Sequence, residues 1–481
     1  MRSSMKSDHL YPWLVLSVTS LGVLLVLLNV GTLNVALPVV SRHFHADSGH
    51  ADWIVLSYLL VNTILILVFG QLSDIYGRKK LYMIGMETFT IASLLIGLSP
   101  NVWILIIFRC IQAAGGALVI TNTTALITDA FPNHSLGKGL GINVLVASAA
   151  QLLGPVLGGL IASTLGWRWV FWFNVPFGII GFIWGMFVLR SNTNKDTNEK
   201  ADILGGIIVF LSLSGLIISL SEGSTLGWDN WIVLLGFILF VILTPVFIII
   251  EKHVSSPLID LTLFRNRQYT MANASTFINF FSITALTLLI ALYYQAAYQE
   301  SATQAGLKVL PVTIGMLIIS PVAGALTRKF EARLLSTAGL ITSAIGLLIL
   351  VITMSPNVPY FVLGLGMLLA GIGCGLFMTP NTTSIMASVP ENRRGIANGL
   401  RSMLNSLGQV LSTAVGLMIV KATLPDRLKD IIYVGSPNRL SFHDLSQIAN
   451  SYRIAFIVLF AVNVVGIILS LFRGKKSVLH V

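Results

Sequence analysis

The chain has 481 residues, of which 55% are hydrophobic and only 10% are charged. Soluble domains carry about 25% charged residues, so this composition excludes an ordinary water-soluble protein and predicts a chain embedded largely in lipid. The net charge of +11 could indicate nucleic acid as a partner. Here, however, the basic residues lie in short segments between apolar runs, which favours a role in membrane orientation, and no nucleic-acid partner is expected. Both cysteines, Cys110 and Cys374, fall in apolar segments, so neither a disulfide framework nor a cysteine-based metal site is expected.

Fourteen apolar segments are long enough to cross a bilayer as helices, since about 20 residues span the hydrocarbon core. The first six lie near residues 13–38, 51–73, 81–98, 102–131, 140–165 and 170–189. Two more lie near 203–221 and 231–250, and the last six near 270–297, 306–327, 334–353, 360–387, 396–420 and 453–473. The predicted fold class is therefore an all-α polytopic membrane protein.

The distribution of lysine and arginine predicts the orientation of these spans. Most basic residues fall on one side, together with both termini: Arg78, Lys79, Lys80, Lys138, Arg190, Lys195, Lys200, Lys252, Arg265, Arg267, Arg328, Lys329, Arg333, Arg393 and Arg394. By the positive-inside rule that side, with both termini, is cytoplasmic, and the expected location is the cell (inner or plasma) membrane. Exceptions are Arg42, Arg168, Lys308 and the segment 421–452, but long translocated loops weigh little in the rule.

An internal repeat divides the chain into two related parts. The pattern Pro-x-x-x-x-Gly-x-x-x-Gly begins at Pro132 after the fourth span and at Pro390 after the twelfth, an offset of 258 residues. A weaker repeat, Gly-x-Leu, begins at Gly70 and Gly324, an offset of 254 residues. Two halves of like topology are implied. The predicted domains are a six-helix bundle over 1–200, two extra central helices over 201–252, and a second six-helix bundle over 253–481.

Several motifs occur in order along these spans. The loop after the second span reads Gly70-Gln71-Leu72-Ser73-Asp74-Ile75-Tyr76-Gly77-Arg78-Lys79-Lys80-Leu81. Others are Leu28-Asn29-x-x-x-x-Asn34-Val35-Ala36-Leu37-Pro38, Arg109-x-x-Gln112-x-x-Gly115, Gly154-Pro155-Val156-Leu157-Gly158-Gly159 and Trp167-Arg168-Trp169-x-Phe171-x-Phe173-Asn174-x-Pro176. Together they resemble the major facilitator superfamily over nearly the whole chain, and the 14-span plan is similar to its drug:proton antiporter branch. The resemblance implies the major facilitator fold, two six-helix bundles with two extra helices between them.

The loop motif suggests a gate at the cytoplasmic surface. Gly70 and Gly77 permit a tight turn, and the opposite charges of the loop are close enough to pair. Span four ends at the same surface, so Asp129 can reach Arg78. We expect Asp74, Arg78 and Asp129 to be the charged members of a cytoplasmic gate whose attraction favours the outward-open state, as the resemblance also implies. The other basic residues of the loop could instead anchor the helix ends.

The fifth span carries the motif that is similar to that of the family's antiporters. Its members are Gly154, Pro155, Gly158 and Gly159. Small residues at every fourth position let another helix approach closely, and the proline removes a backbone hydrogen bond and invites bending. Close packing alone could explain the pattern. The resemblance implies a further role in the transition to the outward-open state.

Two charges lie well inside predicted spans. Arg109 sits about 10 Å inside the outer end of span four, and an intramembrane charge is a functional candidate by default. Gln112 shares its helix face, whereas Asn122 and Asp129 lie on the other side. Glu87 lies in span three, which is peripheral in the family fold, so a snorkelling or helix-pairing role is favoured over that of a proton carrier.

Spans one, four, nine and twelve line the cavity in the family fold. The candidate residues that they offer are Asn29, Asn34, Arg109, Gln112, Asn122, Asn273, Asn279, Gln295, Met378 and Asn381. Any single amide could equally well hold neighbouring helices together. Many relatives have an aspartate at the position of Asn29; the amide weakens the case for strongly cationic substrates, and Asn29→Asp is expected to widen the range toward cations.

The predicted function is proton-motive-force-driven efflux of amphipathic, drug-like compounds by alternating access. The expected partners are a small-molecule substrate, protons as the coupling ion and the lipid bilayer, with no other cofactor, no metal and a monomeric chain. A dedicated exporter of one metabolite or antibiotic is the first alternative, and a transporter-like sensor or scaffold is the second. No P-loop, HExxH helix or nucleophile elbow occurs, so no catalytic residues and no enzymatic activity are expected.

Overall fold

The structure of the protein is a computed structural model, which describes residues 2–190, 202–254, 257–259, 261–327, 329–389, 394–429, 431–434 and 440–473. The first group is α1 (Arg2–His43), α2 (Ser48–Tyr76), α3 (Arg78–Gly97), α4 (Val102–Ala130), α5 (Asn133–Thr164), α6 (Trp169–Trp172) and α7 (Asn174–Val188). The middle pair is α8 (Ile203–Leu226) and α9 (Trp231–Glu251). After a 3-10 turn at Leu261–Arg265 come α10 (Arg267–Tyr298), α11 (Ala302–Lys308), α12 (Leu310–Leu326), α13 (Ala332–Thr353), α14 (Tyr360–Ala387), α15 (Arg394–Thr423), α16 (Asp426–Lys429), α17 (Ile431–Val434) and α18 (Phe442–Leu471).

Fourteen segments of the described chain are long and apolar enough to cross a membrane, which confirms the predicted number of spans. Their burial differs with their place in the bundle. The span formed by α10 is 78% buried inside the protein, whereas that of α9 is 17% buried. The tenth span combines α11 and α12, and the sixth combines α6 and α7. The helix α10 is thus central, and α9, which packs mainly on α8, lies at the periphery.

Local sequence signals set several helix ends. The side chain of Asp47 accepts a hydrogen bond from the His50 backbone at the start of α2, and Asn101 caps α4 in the same way through Ile104. Between α2 and α3 the chain turns at Gly77, whose φ of 94° favours glycine. Gly70, which was expected in this turn, lies inside α2 instead. The turn therefore depends on one glycine of the motif.

The two halves repeat the same helix packing. In the first half α1 pairs with α5, α3 with α4 and α2 with α4; in the second α10 pairs with α15, α13 with α14 and α12 with α14. The closest contacts repeat as well. A Cβ added at Gly115 would lie 2.8 Å from the Gly85 carbonyl oxygen, and one added at Gly373 would lie 2.4 Å from that of Gly339. These pairs are separated by the same offsets, 254 and 258 residues, as the sequence repeats, which confirms two related halves.

Two boundaries differ from the expectation or cannot be compared with it. The last helix begins at Phe442 rather than near residue 453, because Ser441 and Asp444 form a capping box there. The segment 421–452, expected to be a long loop, contains α16, α17 and the start of α18. The repeat residue Pro390 and the predicted boundary near residue 200 lie outside the described residues, so the exact domain limits stay predictions.

The close contact at Gly373 should be intolerant of even one methyl group. A Cβ there would lie 2.3 Å from the Ser343 backbone nitrogen, so Gly373→Ala should cost about 1–3 kcal/mol through overpacking. Gly364, on the same helix, has its nearest neighbouring atom at 3.7 Å and provides the matched control. Thermal unfolding of the purified variants measures the difference, and equal midpoints for the two variants would contradict the assigned packing.

Candidate functional site

A charged pair marks each of the two ends of the helix bundle. We call the end that contains Arg78 and Asp129 the inner end, and the end that contains Asp52 and Lys421 the outer end. The names follow the orientation expected from the basic residues, which stays a prediction.

A buried polar network lies around Arg109 in the first half. The guanidinium is 1% exposed, and its Nη1 donates to the Asn29 Oδ1 and the Gln112 Oε1, both at 2.7 Å. Its Nε donates to the Ile54 carbonyl oxygen at 3.2 Å, and the Gln112 amide donates on to the Ser93 hydroxyl at 2.8 Å. The spacing of Arg109 and Gln112 predicted their shared face, and the structure adds Asn29 from α1. We call Arg109, Asn29, Gln112 and Ser93 the Arg109 network.

The network solvates a buried cation with neutral groups. The Arg109 guanidinium carbon lies 4.2 Å from the centre of the Tyr58 ring, a cation–π contact. A buried charge is costly unless it is hydrogen-bonded or paired, and here carbonyl and amide oxygens and a ring face take the place of a carboxylate. Arg109 is therefore a buried cation that, among the described residues, has no carboxylate partner.

This geometry changes the expectation for an aspartate at position 29. Because the Asn29 oxygen already accepts from Arg109, a carboxylate there would form an ion pair with Arg109 and would attract cations only weakly. Asn29→Asp should therefore leave efflux of cationic dyes within about twofold of wild type, since the charges cancel locally. Asn29→Asp combined with Arg109→Gln should raise it relative to Arg109→Gln alone. Dye efflux by cells expressing each variant measures both effects; a broad gain of cations by Asn29→Asp alone would contradict the paired geometry.

The other candidate cavity residues have no described hydrogen bond to the Arg109 network. Asn122, Asn273, Asn279, Gln295 and Asn381 are 6% exposed or less, and Asn34 and Met378 are half-buried. The side-chain amide nitrogens of the five buried residues donate to groups of neighbouring helices or of their own helix. The acceptors are the carbonyl oxygens of Leu118, Tyr269, Val35 and Ala272, the hydroxyl of Thr276 and the sulfur of Cys374. The structure thus brings Asn29 and Gln112 to Arg109 but does not gather the remaining amides, and their role in a substrate cavity stays a prediction.

At the inner end, Arg78 and Asp129 meet as the topology predicted. The Arg78 Nη1 and the Asp129 Oδ1 are 2.6 Å apart, and each side chain is 34% exposed. Exposed pairs contribute about 0–1 kcal/mol. Both residues belong to the first half, so this pair alone does not join the halves. The side chain of Asp74 lies outside the described residues, and the gate role of the three residues stays a prediction.

Two further charges near the inner end have simpler surroundings. The Lys79 ammonium donates to the Leu189 carbonyl oxygen just beyond the end of α7, where the helix dipole favours a cation. Lys79 therefore anchors a helix end, which was the alternative expected for it. Glu87 lies on the exposed side of α3, away from the Arg109 network, and its role stays a prediction.

The fifth-span motif contacts both halves. A Cβ added at Gly154 would lie 2.8 Å from the Gly31 Cα, and one at Gly158 would lie 2.3 Å from the Thr32 carbonyl oxygen, both on α1. A Cβ added at Gly159 would lie 2.3 Å from the Ala302 carbonyl oxygen of α11, in the second half. Pro155 lies inside α5, which remains helical through it. The motif helix therefore packs on its own half with one face and on the opposite half with another.

A buried ion pair, which the sequence analysis did not identify, joins the halves at the outer end. The Lys421 Nζ lies 2.7 Å from the Asp52 Oδ2, and the two side chains are 1% and 2% exposed. Tyr433 of α17 donates a short hydrogen bond to the other carboxylate oxygen of Asp52. We call Asp52, Lys421 and Tyr433 the outer lock. The sequence does place these two opposite charges near the outer ends of two spans. No local sequence pattern, however, links residues that lie so far apart in the chain.

Other described hydrogen bonds between the halves lie in the outer part too. Gln295 of α10 donates to the Val35 carbonyl oxygen at 3.0 Å, and the hydroxyls of Ser163 and Thr303 are 2.7 Å apart. Together with the outer lock, these contacts give four described hydrogen bonds between the two six-helix halves, all in the outer part. The protein is therefore held closed at its outer end.

The outer lock should control this closure. Removing one partner of a buried ion pair costs about 3–5 kcal/mol, so Asp52→Asn should open the outer end by leaving Lys421 buried without a counter-charge. The readout is the rate of disulfide formation between Ser163→Cys and Thr303→Cys in a Cys110→Ser, Cys374→Ser background. We expect Asp52→Asn to slow it at least about tenfold, the effect of 1.4 kcal/mol.

Two controls accompany this measurement. Asp229→Asn removes an exposed carboxylate elsewhere at the outer end and should not change the rate. Asp52→Asn with Lys421→Met removes both charges and should restore crosslinking, because no unpaired charge remains buried. Equal crosslinking in wild type and Asp52→Asn would show that the pair does not hold the halves together.

The chain is similar in sequence to known membrane transporters. The family model described as the Major Facilitator Superfamily matches residues 19–264 and 272–479. The chain is 32% identical over 446 residues to the multidrug resistance protein Stp of Mycobacterium tuberculosis, covering 90% of this chain and 81% of that protein. It is 30% identical over 402 residues to the riboflavin transporter RibZ of Clostridioides difficile, covering 84% and 87%.

A solved structure shares the fold. It is that of a bacterial homolog to the human lysosomal transporter Spinster in an inward-facing, occupied conformation. The TM-score is 0.67 at 14% identity, and the match covers 96% of this chain and 97% of that one. At this identity the likeness shows the fold alone, which is the two-bundle architecture described above.

Proposed function

The chain belongs to the Major Facilitator Superfamily, and on that premise we propose that it exports amphipathic, drug-like compounds in exchange for protons by alternating access. It acts as a secondary active transporter without a bound cofactor, as a monomer in the cell membrane, with the inner end facing the cytoplasm. The relative named for multidrug resistance, 32% identical, supports this substrate class.

The observation that carries alternating access is the buried Asp52–Lys421 pair. It lies between the halves, and it must separate whenever the outer end opens. The inner pair, Arg78–Asp129, is partly exposed and lies within one half. The two pairs therefore differ in what they report: only the buried pair joins the halves, and an exposed pair contributes about 0–1 kcal/mol. With both pairs formed, the structure represents a state of the proposed cycle in which the outer end is closed.

The Arg109 network supports a preference for neutral or anionic substrates. Its cation is compensated by neutral acceptors, so the interior of the first half disfavours a dication. Aromatic and methionine side chains would receive the apolar part of a substrate, and polar groups would fix its orientation.

Movement of the two halves against each other is supported by the packing of the fifth-span motif, which is similar to that of the family's antiporters. Gly158 lies against α1 of its own half, and Gly159 against α11 of the other. A helix that touches both halves without intervening side chains lets them slide or rock at that contact. Coupling to protons has no single assigned carboxylate; Glu87, Asp74 and Asp129 are the candidates within or near the first half.

A dedicated exporter of one metabolite is the second candidate. The relative named as a riboflavin transporter, 30% identical over 84% of this chain, favours it. Riboflavin transport is a property of that relative. The two candidates differ in how many unrelated compounds the protein moves.

Dye accumulation in cells separates these possibilities. Expression of the protein should lower accumulation of several chemically unrelated amphipathic dyes, and a protonophore should abolish the effect because it removes the driving force. Neutral and monocationic dyes should be exported better than dicationic ones. A protonophore-insensitive effect would exclude proton coupling, and a single exported compound among many would favour the metabolite exporter.

The inner pair gives a sharper test of the gate. The gate hypothesis requires the loop to move away from α4 when the inner end opens, which breaks the Arg78–Asp129 pair. Arg78→Ala then removes about 1 kcal/mol of pairing free energy from one state only, which corresponds to about a fivefold shift between states, and efflux should fall by a similar factor. Lys80→Ala, at an exposed lysine of the same loop, is the matched control. The initial efflux rate at equal expression is the measurement. Wild-type rates for both Arg78→Ala and Asp74→Asn would remove these residues from the gate.

A further inference from the structure

Arg473, just beyond the end of α18, is buried, and none of the described residues supplies a counter-charge for it. The residue is 2% exposed, and the guanidinium carbon lies 5.8 Å from the centre of the Phe377 ring on α14. The side chain therefore points toward α14, inside the second half. Within the described part of the chain, its Nε, Nη1 and Nη2 have no hydrogen-bond acceptor.

The compensation that the protein itself supplies is incomplete. The Phe377 ring lies near the outer limit for a cation–π contact, about 6 Å, and the carboxyl end of α18 favours a cation through its dipole. Neither provides acceptors for the guanidinium hydrogens. Arg109 shows the alternative within the same protein: its buried guanidinium donates three hydrogen bonds. By this comparison Arg473 lacks an acceptor that a ligand would supply.

The surroundings of Arg473 have the character of an anion site. Arg333 at the start of α13 donates from Nη1 to the Arg473 carbonyl oxygen at 3.2 Å, which brings a second guanidinium to the same place. Ser336, one turn further along α13, is fully buried, and its hydroxyl has no described partner. The nearby carboxylate Glu331 forms no ion pair with either arginine among the described residues.

We propose that Arg473, Arg333 and Ser336 bind the phosphate group of an anionic membrane lipid at the inner end of the second half. Guanidinium groups bind phosphate oxygens through paired, charge-assisted hydrogen bonds. The inner ends of α13 and α18 lie where the apolar segments end, at the depth of lipid headgroups, and basic sites between helices on this side of a membrane suit anionic headgroups. The proposal does not depend on the transported substrate.

The test uses the purified full-length protein in detergent, with thermal unfolding followed by the fluorescence of its nine tryptophans. Phosphatidylglycerol, phosphatidylcholine and inorganic phosphate are titrated separately. We expect phosphatidylglycerol to raise the unfolding midpoint of wild type by several degrees more than phosphatidylcholine does. Arg473→Gln should lose that difference. Lys329→Gln, which removes an exposed cation at the same end, should keep it.

Each outcome decides the proposal. A midpoint raised by inorganic phosphate alone, and lost in Arg473→Gln, would support the anion site and assign it to soluble phosphate. The same response to phosphatidylglycerol in wild type and Arg473→Gln would overturn the proposal. If Arg473→Gln does not fold, native mass spectrometry of wild type and Ser336→Ala replaces it. Retention of phosphatidylglycerol over phosphatidylcholine that is weakened by Ser336→Ala supports the site, and equal retention of the two lipids overturns it.

Discussion

A charge inside a membrane protein must find its compensation within the protein, because lipid tails offer neither hydrogen bonds nor counter-charges. Three solutions occur in this chain. Arg109 is surrounded by neutral acceptors inside one half, and Asp52 and Lys421 neutralise one another between the halves. Among the described residues Arg473 has neither, which is the basis of the lipid site proposed above. The hydrogen bonds of Arg109 lie within one half, whereas the Asp52–Lys421 pair exists only while the two halves are together. The same constraint thus produces a static polar core and a contact that depends on conformation.

The two charged pairs differ in what they can control. Arg78 and Asp129 lie on neighbouring helices of one half, so a local movement of the loop is needed to separate them. Asp52 and Lys421 lie on α2 and α15, and their separation measures the separation of the halves. Tyr433 adds a second hydrogen bond from a short helix that the sequence did not reveal. A rigid-body movement of one half against the other would therefore act first on the outer lock.

The features that sequence predicted are those set by local patterns. Span number follows from the length of apolar segments, the shared face of Arg109 and Gln112 from helix periodicity, and the meeting of Arg78 with Asp129 from the direction in which each span runs. The outer lock was not predictable in this way. Asp52 and Lys421 are 369 residues apart, and their contact depends on how two separately folded halves approach. The burial of Arg473 is likewise a result of tertiary packing, and a basic residue just after a span ordinarily suggests an exposed anchor.

Local reasoning also misjudged positions where a residue type has more than one use. Gly70 was expected in a turn because glycine tolerates unusual backbone angles, but only Gly77 adopts one. The segment 421–452 was expected to be a loop because it lies between the last two predicted spans, but Asp444 caps a helix there and Lys421 completes the lock. In both cases the deciding contacts come from elsewhere in the fold.

The two extra helices have a consequence for how a lipid-dissolved compound would enter. The first of them, α8, packs against α2 of one half and α15 of the other. It is also tied to α2 at both ends, through Trp53 with Glu222 and through Gln71 with Asp202. One of the two seams between the halves is thus covered by a helix that is hydrogen-bonded to the first half. The opposite seam, between α5 and α12, meets no such helix in the described chain. The pseudo-symmetric bundle therefore has a front and a back, and a compound dissolved in the bilayer would meet a different surface on each side.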